Sequence, residues 1–250
     1  MPDNRENAVE TEFSYYRDDL ALVHDSGFDF HGGRCAPGIL DLLEPVRRRG
    51  GVVLELGCGS GSLTGHLLDA GHRVIATDGS PAMLARARTR LPAADLRRLV
   101  LPADRLPTVD AVVGVGHVLN YLVDEESVTR TMTAIAGALR PGGVLAIDVI
   151  DLGWADDWRN VASLARVHED WAVFSRSVAT ESRRMVQEVT TFVRSANASW
   201  RRSDERHENV LLDVTGLVAV LERHGMTARK RTSFGSERLP TGLVAVVGQK

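Results

Sequence analysis

The fold is decided by residues 52–61, which read VVLELGCGSG. The first five residues are a short apolar run, typical of a β-strand that is buried on both faces of a sheet. Three glycines follow, at Gly57, Gly59 and Gly61, and a helical pattern begins at about Ser62. Glycine lets the backbone turn with positive φ and approach a ligand closely. The stretch therefore predicts a strand, a glycine-rich ligand-binding loop and a helix.

Strands and helices alternate on both sides of this loop. Apolar runs predict four more strands, at residues 73–77, 96–101, 109–115 and 144–149. Amphipathic patterns predict the helices between them, at residues 62–70, 81–91 and 125–139. Such alternation is typical of βαβ units, which build a parallel sheet with right-handed crossovers. We therefore expect an α/β fold with a parallel core.

The flanking segments predict further elements outside this core. The expected elements are helices at 12–24, 37–48, 151–166 and 214–224, antiparallel strands from Trp171 to Leu212, and a final strand at 242–247. Because the last helix and strand follow the antiparallel segment, we expect them to rejoin the main sheet.

The composition is ordinary for a folded protein of 250 residues, with 44% hydrophobic and 25% charged residues. The formal net charge of −3 gives no general attraction to phosphate backbones, so we expect no nucleic-acid partner. No apolar run approaches the roughly 18 residues that a membrane span requires, so we expect no membrane partner. Two cysteines are too few for a disulfide scaffold, and the N-terminus has no apolar signal region. We therefore expect a cytoplasmic protein.

The spacing of the loop indicates which ligand it takes. A dinucleotide-binding loop would place its third glycine where Ser62 stands, and a Walker loop would need a lysine that is absent here. Asp78 ends the second predicted strand, where a carboxylate can accept hydrogen bonds from both hydroxyls of a ribose. Asp104, after the third predicted strand, is a candidate acceptor for an adenine amino group. The alternative is a solvated loop acid that pairs with Arg105.

In combination, three stretches resemble the class I S-adenosylmethionine-dependent methyltransferase family: residues 53–61, 76–87 and 139–143. The resemblance covers residues 50–150. It implies a three-layer, Rossmann-like sheet of seven mostly parallel strands, with S-adenosylmethionine as the cofactor. It also implies contacts between the cofactor and a set of residues, namely Tyr16, Glu55, Gly57, Cys58, Gly59, Gly61, Asp78, Gly79, Met83, Asp104, Arg105, Leu106 and Gly116.

Small-molecule methyltransferases of this class are similar in carrying antiparallel strands before the last helix and an aromatic N-terminal helix over the site. Tyr16 would be an aromatic residue of that helix, although packing in the core is an equal alternative. The resemblance implies four parts of the chain. They are an N-terminal lid helix region at 1–35, a cofactor-binding core at 36–150, a substrate-covering antiparallel insertion at 151–212, and the last helix and strand at 213–250.

Residues 114–121, GVGHVLNY, follow the fourth predicted strand, where the family faces the transferring methyl group. The segment lacks the Asn/Asp-Pro-Pro-Tyr/Phe motif of DNA-amino methyltransferases, which argues against base methylation. His117 is a candidate proton acceptor because a neutral imidazole can take a proton near pH 7. The alternative is that His117 only lines the pocket. Tyr121 is a second catalytic candidate.

Three residues are candidates for binding the substrate: Asn120, Trp154 and His207. We expect no metal ion, since no carboxylate cluster follows the fourth strand and Asp148 and Asp151 suit turns and caps. The sequence thus predicts methyl transfer to a nitrogen or oxygen of a small molecule, such as a natural-product intermediate. Two alternatives remain: a nicotinamide-dependent oxidoreductase, and a cofactor-binding protein without transferase activity.

Overall fold

The computed structural model describes residues 15–154 and 163–250. Its strands, numbered along the chain, are β1 (Val52–Leu56), β2 (Arg73–Asp78), β3 (Asp95–Arg98), β4 (Val109–Gly114), β5 (Leu139–Ile150), β6 (Ser163–Val167), β7 (Trp171–Ala179), β8 (Arg184–Arg194), β9 (Trp200–Val210), β10 (Thr227–Arg231), β11 (Ser233–Phe234), β12 (Glu237–Arg238) and β13 (Leu243–Gln249). Its helices are α1 (Asp18–Gly27), α2 (Phe30–Arg48), α3 (Ser62–Asp69), α4 (Pro81–Arg90), α5 (Glu125–Ala138) and α6 (Val214–Arg223), with a 3-10 helix at Val118–Tyr121.

Seven strands form the main sheet, in the order β10-β13-β5-β4-β1-β2-β3. Strands β1 to β5 are parallel to one another, whereas β13 is antiparallel to both β5 and β10. The predicted Rossmann-like sheet of seven mostly parallel strands is confirmed. Because β1, β2 and β4 run in the same direction, their carboxyl ends meet at one edge of the sheet.

Helices cover both faces of the main sheet and make it the middle of three layers. On one face, Leu54 packs in a buried cluster with side chains of α5 and α6, including Ile135 and Leu221. On the other face, Val53 packs with side chains of α2 and α3, including Leu43. Each such apolar side chain contributes about 1.5–3 kcal/mol when fully buried. Burial on both faces explains why β1 is apolar throughout except at Glu55.

A second sheet, β6-β7-β8-β9, is antiparallel throughout and lies in the chain between β5 and α6. It confirms the predicted antiparallel insertion. Helix α1 packs on one face of this sheet, where Leu20 and Val23 form a buried cluster with Trp171 and Val189. The N-terminal helix and the insertion therefore form one packed unit beside the main sheet.

Two helices differ from their predicted limits. The first described helix is α1, which begins at Asp18, while residues 12–14 of the predicted helix at 12–24 lie outside the described residues. Helix α2 begins at Phe30 and contains Pro37, which the pattern placed in the first turn. The helix continues through both Pro37 and Pro45, and its first turn packs on α3, where a Cβ on Gly32 would lie 3.1 Å from Leu63 N.

The strand predictions also need corrections. Strand β5 begins at Leu139, the last residue of the helix predicted at 125–139; Leu139 pairs with Val109 of β4, and after a bulge the pairing resumes at Val144. Part of the predicted helix at 151–166 is wrong, because residues 163–167 form strand β6; its residues 155–162, with Trp158, lie outside the described residues. The sequence did not indicate β10 or the β11–β12 hairpin. That hairpin sits so close to α2 that a Cβ on Gly38 would lie 2.2 Å from the backbone of Phe234.

None of the helices within residues 15–154 and 163–250 has the length and apolar character needed to cross a membrane.

Candidate active site

A cavity of about 640 Å³ opens at the carboxyl ends of β1, β2 and β4. Its walls come from the glycine-rich loop, the ends of these strands, residues 99–103, the start of α2, and Tyr15 and Tyr16 before α1. The volume is in the range of pockets that bind cofactors and other small molecules. The predicted site thus coincides with a cavity at the predicted edge of the sheet.

The glycine-rich loop turns with positive φ at Gly57 (65°), Gly59 (55°) and Gly61 (91°). Gly57 and Gly59 line the cavity, and a Cβ on Gly57 would lie 2.7 Å from Val118 Cγ2. No described atom outside its chain neighbours lies within 4 Å of a Cβ built on Gly59, so this position leaves room for a ligand. Gly61 is outside the cavity lining. Its Cβ would meet Leu91 at 2.9 Å, so it lets α3 pack against the end of α4.

The Asp78 carboxylate fixes the shape of this loop. Its Oδ2 accepts a hydrogen bond from Gly59 N at 2.9 Å, and its Oδ1 accepts one from Ser80 N at 2.8 Å. Burial raises the pKa of Asp78, and the backbone hydrogen bonds oppose that shift. A carboxylate has about four acceptor positions, and the backbone N–H groups of Ser80, Gly59 and Gly79 use part of this capacity. Because Asp78 also lines the cavity, its remaining acceptor capacity fits ligand hydroxyls such as those of a ribose.

The wall beyond Asp78 is built from Gly79, Met83 and residues 99–103. Helix α4 places Met83 there, since Ser80 caps the helix by accepting a hydrogen bond from Met83 N at 3.1 Å. The other predicted residues of this wall, Asp104, Arg105 and Leu106, are not in the lining. Asp104 Oδ2 instead accepts a hydrogen bond from Val100 N at 2.7 Å and closes its own turn. In the structure this part of the wall is formed by residues 99–103, and the three predicted residues follow directly after it.

Glu55 and Cys58 also line the cavity, as the resemblance implies for cofactor contacts. The Glu55 side chain is buried at the end of β1, and Thr64 Oγ1 donates a hydrogen bond of 2.6 Å to its Oε2. Burial raises the pKa of Glu55 to about 7, although the Thr64 hydrogen bond opposes this shift. Near neutral pH, Glu55 is therefore part protonated, and a nearby positive charge would ionise it.

We expect binding of S-adenosylmethionine to release protons at pH 7, because its positive charge favours ionised Glu55. About half a proton per site is the expected amount for a group that is half protonated before binding. Titration calorimetry in buffers of different ionisation enthalpy measures this number. Glu55→Gln should remove the buffer dependence, whereas Glu237→Gln, at an ion pair with Arg34 outside the cavity, should keep it. Equal proton release from Glu55→Gln and the wild type contradicts the expectation.

His117 follows the carboxyl end of β4 and has an unusual backbone conformation. Its φ is +51°, directly after Gly116 at +88°, and its backbone N–H donates a hydrogen bond of 2.7 Å to Asp148 Oδ1. Residues other than glycine rarely adopt this conformation. The hydrogen bond to the buried Asp148 stabilises it here. Burial lowers the pKa of His117 to about 4, so the imidazole is neutral at pH 7. Both Gly116 and His117 line the cavity.

A chain of hydrogen bonds joins the cavity to the antiparallel sheet. Tyr16 and Tyr121 share a hydrogen bond of 3.0 Å between their hydroxyls, and the Tyr121 hydroxyl lies 3.4 Å from His207 Nδ1. His207 Nε2 is 2.9 Å from Glu205 Oε2, which also accepts a hydrogen bond from Tyr16 N at 2.8 Å. Burial raises the pKa of Tyr121 well above its usual value, so its hydroxyl is neutral. Through these contacts the antiparallel sheet positions Tyr16 and Tyr121, which line the cavity.

The structure does not bring the three predicted substrate residues into the cavity lining. Asn120 is fully buried: its Nδ2 donates to the carbonyls of Ile150 and Val210, and its Oδ1 accepts from Ile150 N. It joins the main sheet to β9. Trp154 is buried among apolar side chains that include Leu211. His207 lies outside the lining and contacts the Tyr121 hydroxyl.

The sequence analysis missed Glu205, His31 and the position of Asp148. Glu205 Oε1 and Oε2 accept hydrogen bonds from the backbone of Arg17 and Tyr16, which are 188 and 189 residues away in the chain. His31 Nε2 lies 2.7 Å from Asp148 Oδ2 across 117 residues. No local pattern marks pairs at such separations, so the sequence carried no signal that could have found them.

Comparison with known proteins finds methyltransferases among the proteins similar to this chain. Residues 53–143 match the family described as "Methyltransferase domain". A protein of Geobacillus sp. (strain WCH70), whose name gives the activity as methyltransferase without a substrate, is 25% identical to this chain over 198 residues. These residues are 76% of this chain and 79% of that protein. Trans-aconitate 2-methyltransferase of Variovorax paradoxus (strain S110) is 38% identical over 105 residues, 40% of this chain and 38% of that protein.

Solved structures share the fold over nearly the whole chain. DesVI of Streptomyces venezuelae has a TM-score of 0.73 and 25% identity, covering 92% of this chain and 99% of that one. A S-adenosylmethionine-dependent methyltransferase from Clostridium acetobutylicum ATCC 824 has a TM-score of 0.75 and 17% identity, covering 92% of this chain and 97% of that one. The seven-stranded sheet agrees with the Rossmann-like fold of these methyltransferases. Together, the domain match, the relatives and the shared fold support the prediction of a class I S-adenosylmethionine-dependent methyltransferase with S-adenosylmethionine as its cofactor.

Proposed function

We propose that this enzyme transfers the methyl group of S-adenosylmethionine to a nitrogen of a small-molecule amine, such as a natural-product intermediate. The proposal rests on one observation: the neutral imidazole of His117 lines the cavity after the carboxyl end of β4. When bound, the cofactor supplies a methyl group that its sulfonium makes electrophilic. A hydroxyl would need a base to become a strong nucleophile, whereas a neutral amine already presents a lone pair.

The donor side of the proposal uses residues that line one half of the cavity. The Asp78 carboxylate would accept hydrogen bonds from the ribose hydroxyls, and the open position at Gly59 would let the backbone approach the ligand. The cavity-lining residues that we propose as cofactor contacts are Tyr16, Glu55, Gly57, Cys58, Gly59, Asp78, Gly79, Met83 and Gly116.

The acceptor side would lie between His117, Tyr121 and Tyr16. These side chains are neutral at pH 7, since burial lowers the pKa of His117 and raises the pKa of both tyrosines. His117 can accept a hydrogen bond from an amine N–H and thereby aim the lone pair at the methyl group. With a pKa of about 4, the same imidazole is a weak proton acceptor. Positioning, and not proton removal, is its proposed role.

The comparisons give limited support for this acceptor class. Glycine/sarcosine N-methyltransferase of Halorhodospira halochloris is 31% identical over 114 residues, which is 42% of this chain. KedS8 of Streptoalloteichus sp ATCC 53650, described as a sugar N-methyltransferase, shares the fold with a TM-score of 0.68 at 24% identity. Neither similarity identifies the methyl acceptor of this chain, so the proposed acceptor class rests on the chemistry of the cavity.

Matched acceptors test the proposed function. The purified protein is supplied with methyl-labelled S-adenosylmethionine and with pairs of small molecules, such as amino sugars and their parent sugars, that carry an amine or a hydroxyl at the same carbon. We expect label on the amine members. Transfer confined to the hydroxyl members would contradict the proposal of a nitrogen acceptor.

The role of His117 gives a second expected result. In His117→Asn, kcat should fall less than about tenfold with an amine acceptor, because alignment of the reacting groups supplies most of the rate. A general base would contribute about 10²- to 10⁴-fold. Steady-state kinetics with the amine found in the panel makes the measurement. A loss within that larger range, with a pH profile that loses an ionisation, would assign proton removal to His117.

A further inference from the structure

We propose that His31 is the carboxylate-binding group of the cavity, where it is fixed by Asp148. The inference rests on the proposed function, in that S-adenosylmethionine is taken to bind in this cavity. His31 is the second residue of α2, and its side chain lines the cavity while remaining 22% exposed. The Asp148 side chain behind it is fully buried, and its Oδ2 lies 2.7 Å from His31 Nε2.

Within this ion pair, the His31 imidazole stands at the cavity wall and the Asp148 carboxylate stands behind it. Burial, the largest single effect, lowers the pKa of His31, but the hydrogen bonds and charges of Asp148 and Cys35 together outweigh it and raise the pKa to about 10. The imidazole is therefore doubly protonated at pH 7. One N–H is taken by Asp148. The Cys35 sulfur lies 3.9 Å from Nδ1 and 3.8 Å from Nε2, and sulfur is a weak acceptor, so a carboxylate oxygen can compete for the Nδ1 N–H.

The other charged and titratable groups of the lining favour this assignment. Among the described residues, the lining contains no lysine or arginine, and its carboxyl groups are Asp29, Glu55 and Asp78. The remaining histidines, His24 and His117, have pKa values lowered by burial. Within the described part of the cavity wall, His31 is thus the side chain that carries a positive charge. A bound carboxylate would be repelled by the ionised forms of Asp29, Glu55 and Asp78.

The position of His31 also suits the donor. Its neighbour Gly32 lies against the first residues of α3, where a Cβ would be 3.1 Å from Leu63 N. The start of α2 therefore stands beside the end of the glycine-rich loop, which the resemblance places at the methionine part of the cofactor. The first turn of α2 adds backbone N–H groups that favour a negative charge. A carboxylate bound here is either that of the donor or one on the acceptor.

Calorimetry with two donor compounds distinguishes these sources. If the carboxylate is that of the donor, the wild type should bind S-adenosylmethionine about 10- to 100-fold more tightly than its decarboxylated analogue, as for a hydrogen bond to a charged group. In His31→Gln this preference should disappear. His66→Gln, an exposed histidine on α3 outside the lining, is the matched control and should keep it.

If the carboxylate is that of the acceptor, both donor compounds should bind equally, and acetate should bind the donor-saturated wild type but not His31→Gln. Equal donor binding together with no acetate binding overturns the inference while leaving the proposed function intact. Absence of S-adenosylmethionine binding to the wild type overturns both. If His31→Gln fails to fold, the donor preference and acetate binding are measured on the wild type alone. The NMR signals of the His31 imidazole then report whether the bound carboxylate contacts Nδ1.

Discussion

Asp78→Asn should weaken the binding of S-adenosylmethionine at least about 100-fold. In the proposed complex, the carboxylate accepts hydrogen bonds from two ribose hydroxyls, and hydrogen bonds to a charged group are each worth about 1.5–3 kcal/mol. The two carboxylate oxygens accept hydrogen bonds from Gly59 N and Ser80 N, which shape the loop, and the substitution removes one of these two acceptors. Titration calorimetry with S-adenosylmethionine or S-adenosylhomocysteine gives the affinity.

The fold should tolerate this substitution. Burial raises the pKa of Asp78, which means that the folded protein disfavours its charged form, and a neutral amide relieves that cost. Asp104→Asn is the matched control, since Asp104 closes its own turn outside the cavity lining. We expect donor affinity of the control to remain within about twofold of the wild type, because no ligand hydrogen bond is lost. Equal losses in both variants would show that the assignment of the ribose acceptor is wrong.

Gly57→Ala should reduce methyl transfer at least about 100-fold and destabilise the protein by about 2–5 kcal/mol. The positive φ of 65° costs a side-chain-bearing residue about 1–2 kcal/mol, and the methyl group would lie 2.7 Å from Val118 Cγ2. Crowding of this kind costs a further 1–3 kcal/mol or so. Val118 directly follows His117, so the displaced segment includes the proposed acceptor-binding residues. Denaturant unfolding and steady-state kinetics measure the two effects.

Gly71→Ala separates the backbone effect from the contact. Gly71 has a φ of 84°, no described atom outside its chain neighbours lies within 4 Å of a Cβ built on it, and it is outside the cavity lining. This control should therefore lose only about 1–2 kcal/mol of stability and keep its donor affinity. If Gly57→Ala proves no less stable and no less active than Gly71→Ala, the close approach of Val118 to the loop is not important.

The donor half of the site was predictable from sequence because its information is local. The strand, the glycine-rich loop and Asp78 are separated by single βαβ units, and parallel strands bring their ends to one edge. The three glycines illustrate the limit of such reasoning. Their positive φ angles follow from the motif, but only the structure separates Gly57 and Gly59, which line the cavity, from Gly61, which packs against Leu91.

The acceptor half was not predictable, because it depends on contacts between distant segments. Asn120 follows His117 in a segment that faces the site, yet its amide joins Ile150 to Val210. Polarity and position alone do not distinguish a ligand contact from a buried hydrogen-bond link. His31 posed the opposite problem: an ordinary histidine in sequence, it gains its charge from Asp148 on another element.

The central claim is that the nucleoside of S-adenosylmethionine lies between the glycine-rich loop and residues 99–103, with its ribose on Asp78. A crystal structure of the complex with S-adenosylhomocysteine tests it most directly. We predict both ribose hydroxyls within hydrogen-bond distance of the Asp78 carboxylate and the ligand backbone passing over Gly59. A nucleoside bound elsewhere, or a ribose out of reach of Asp78, would contradict this account.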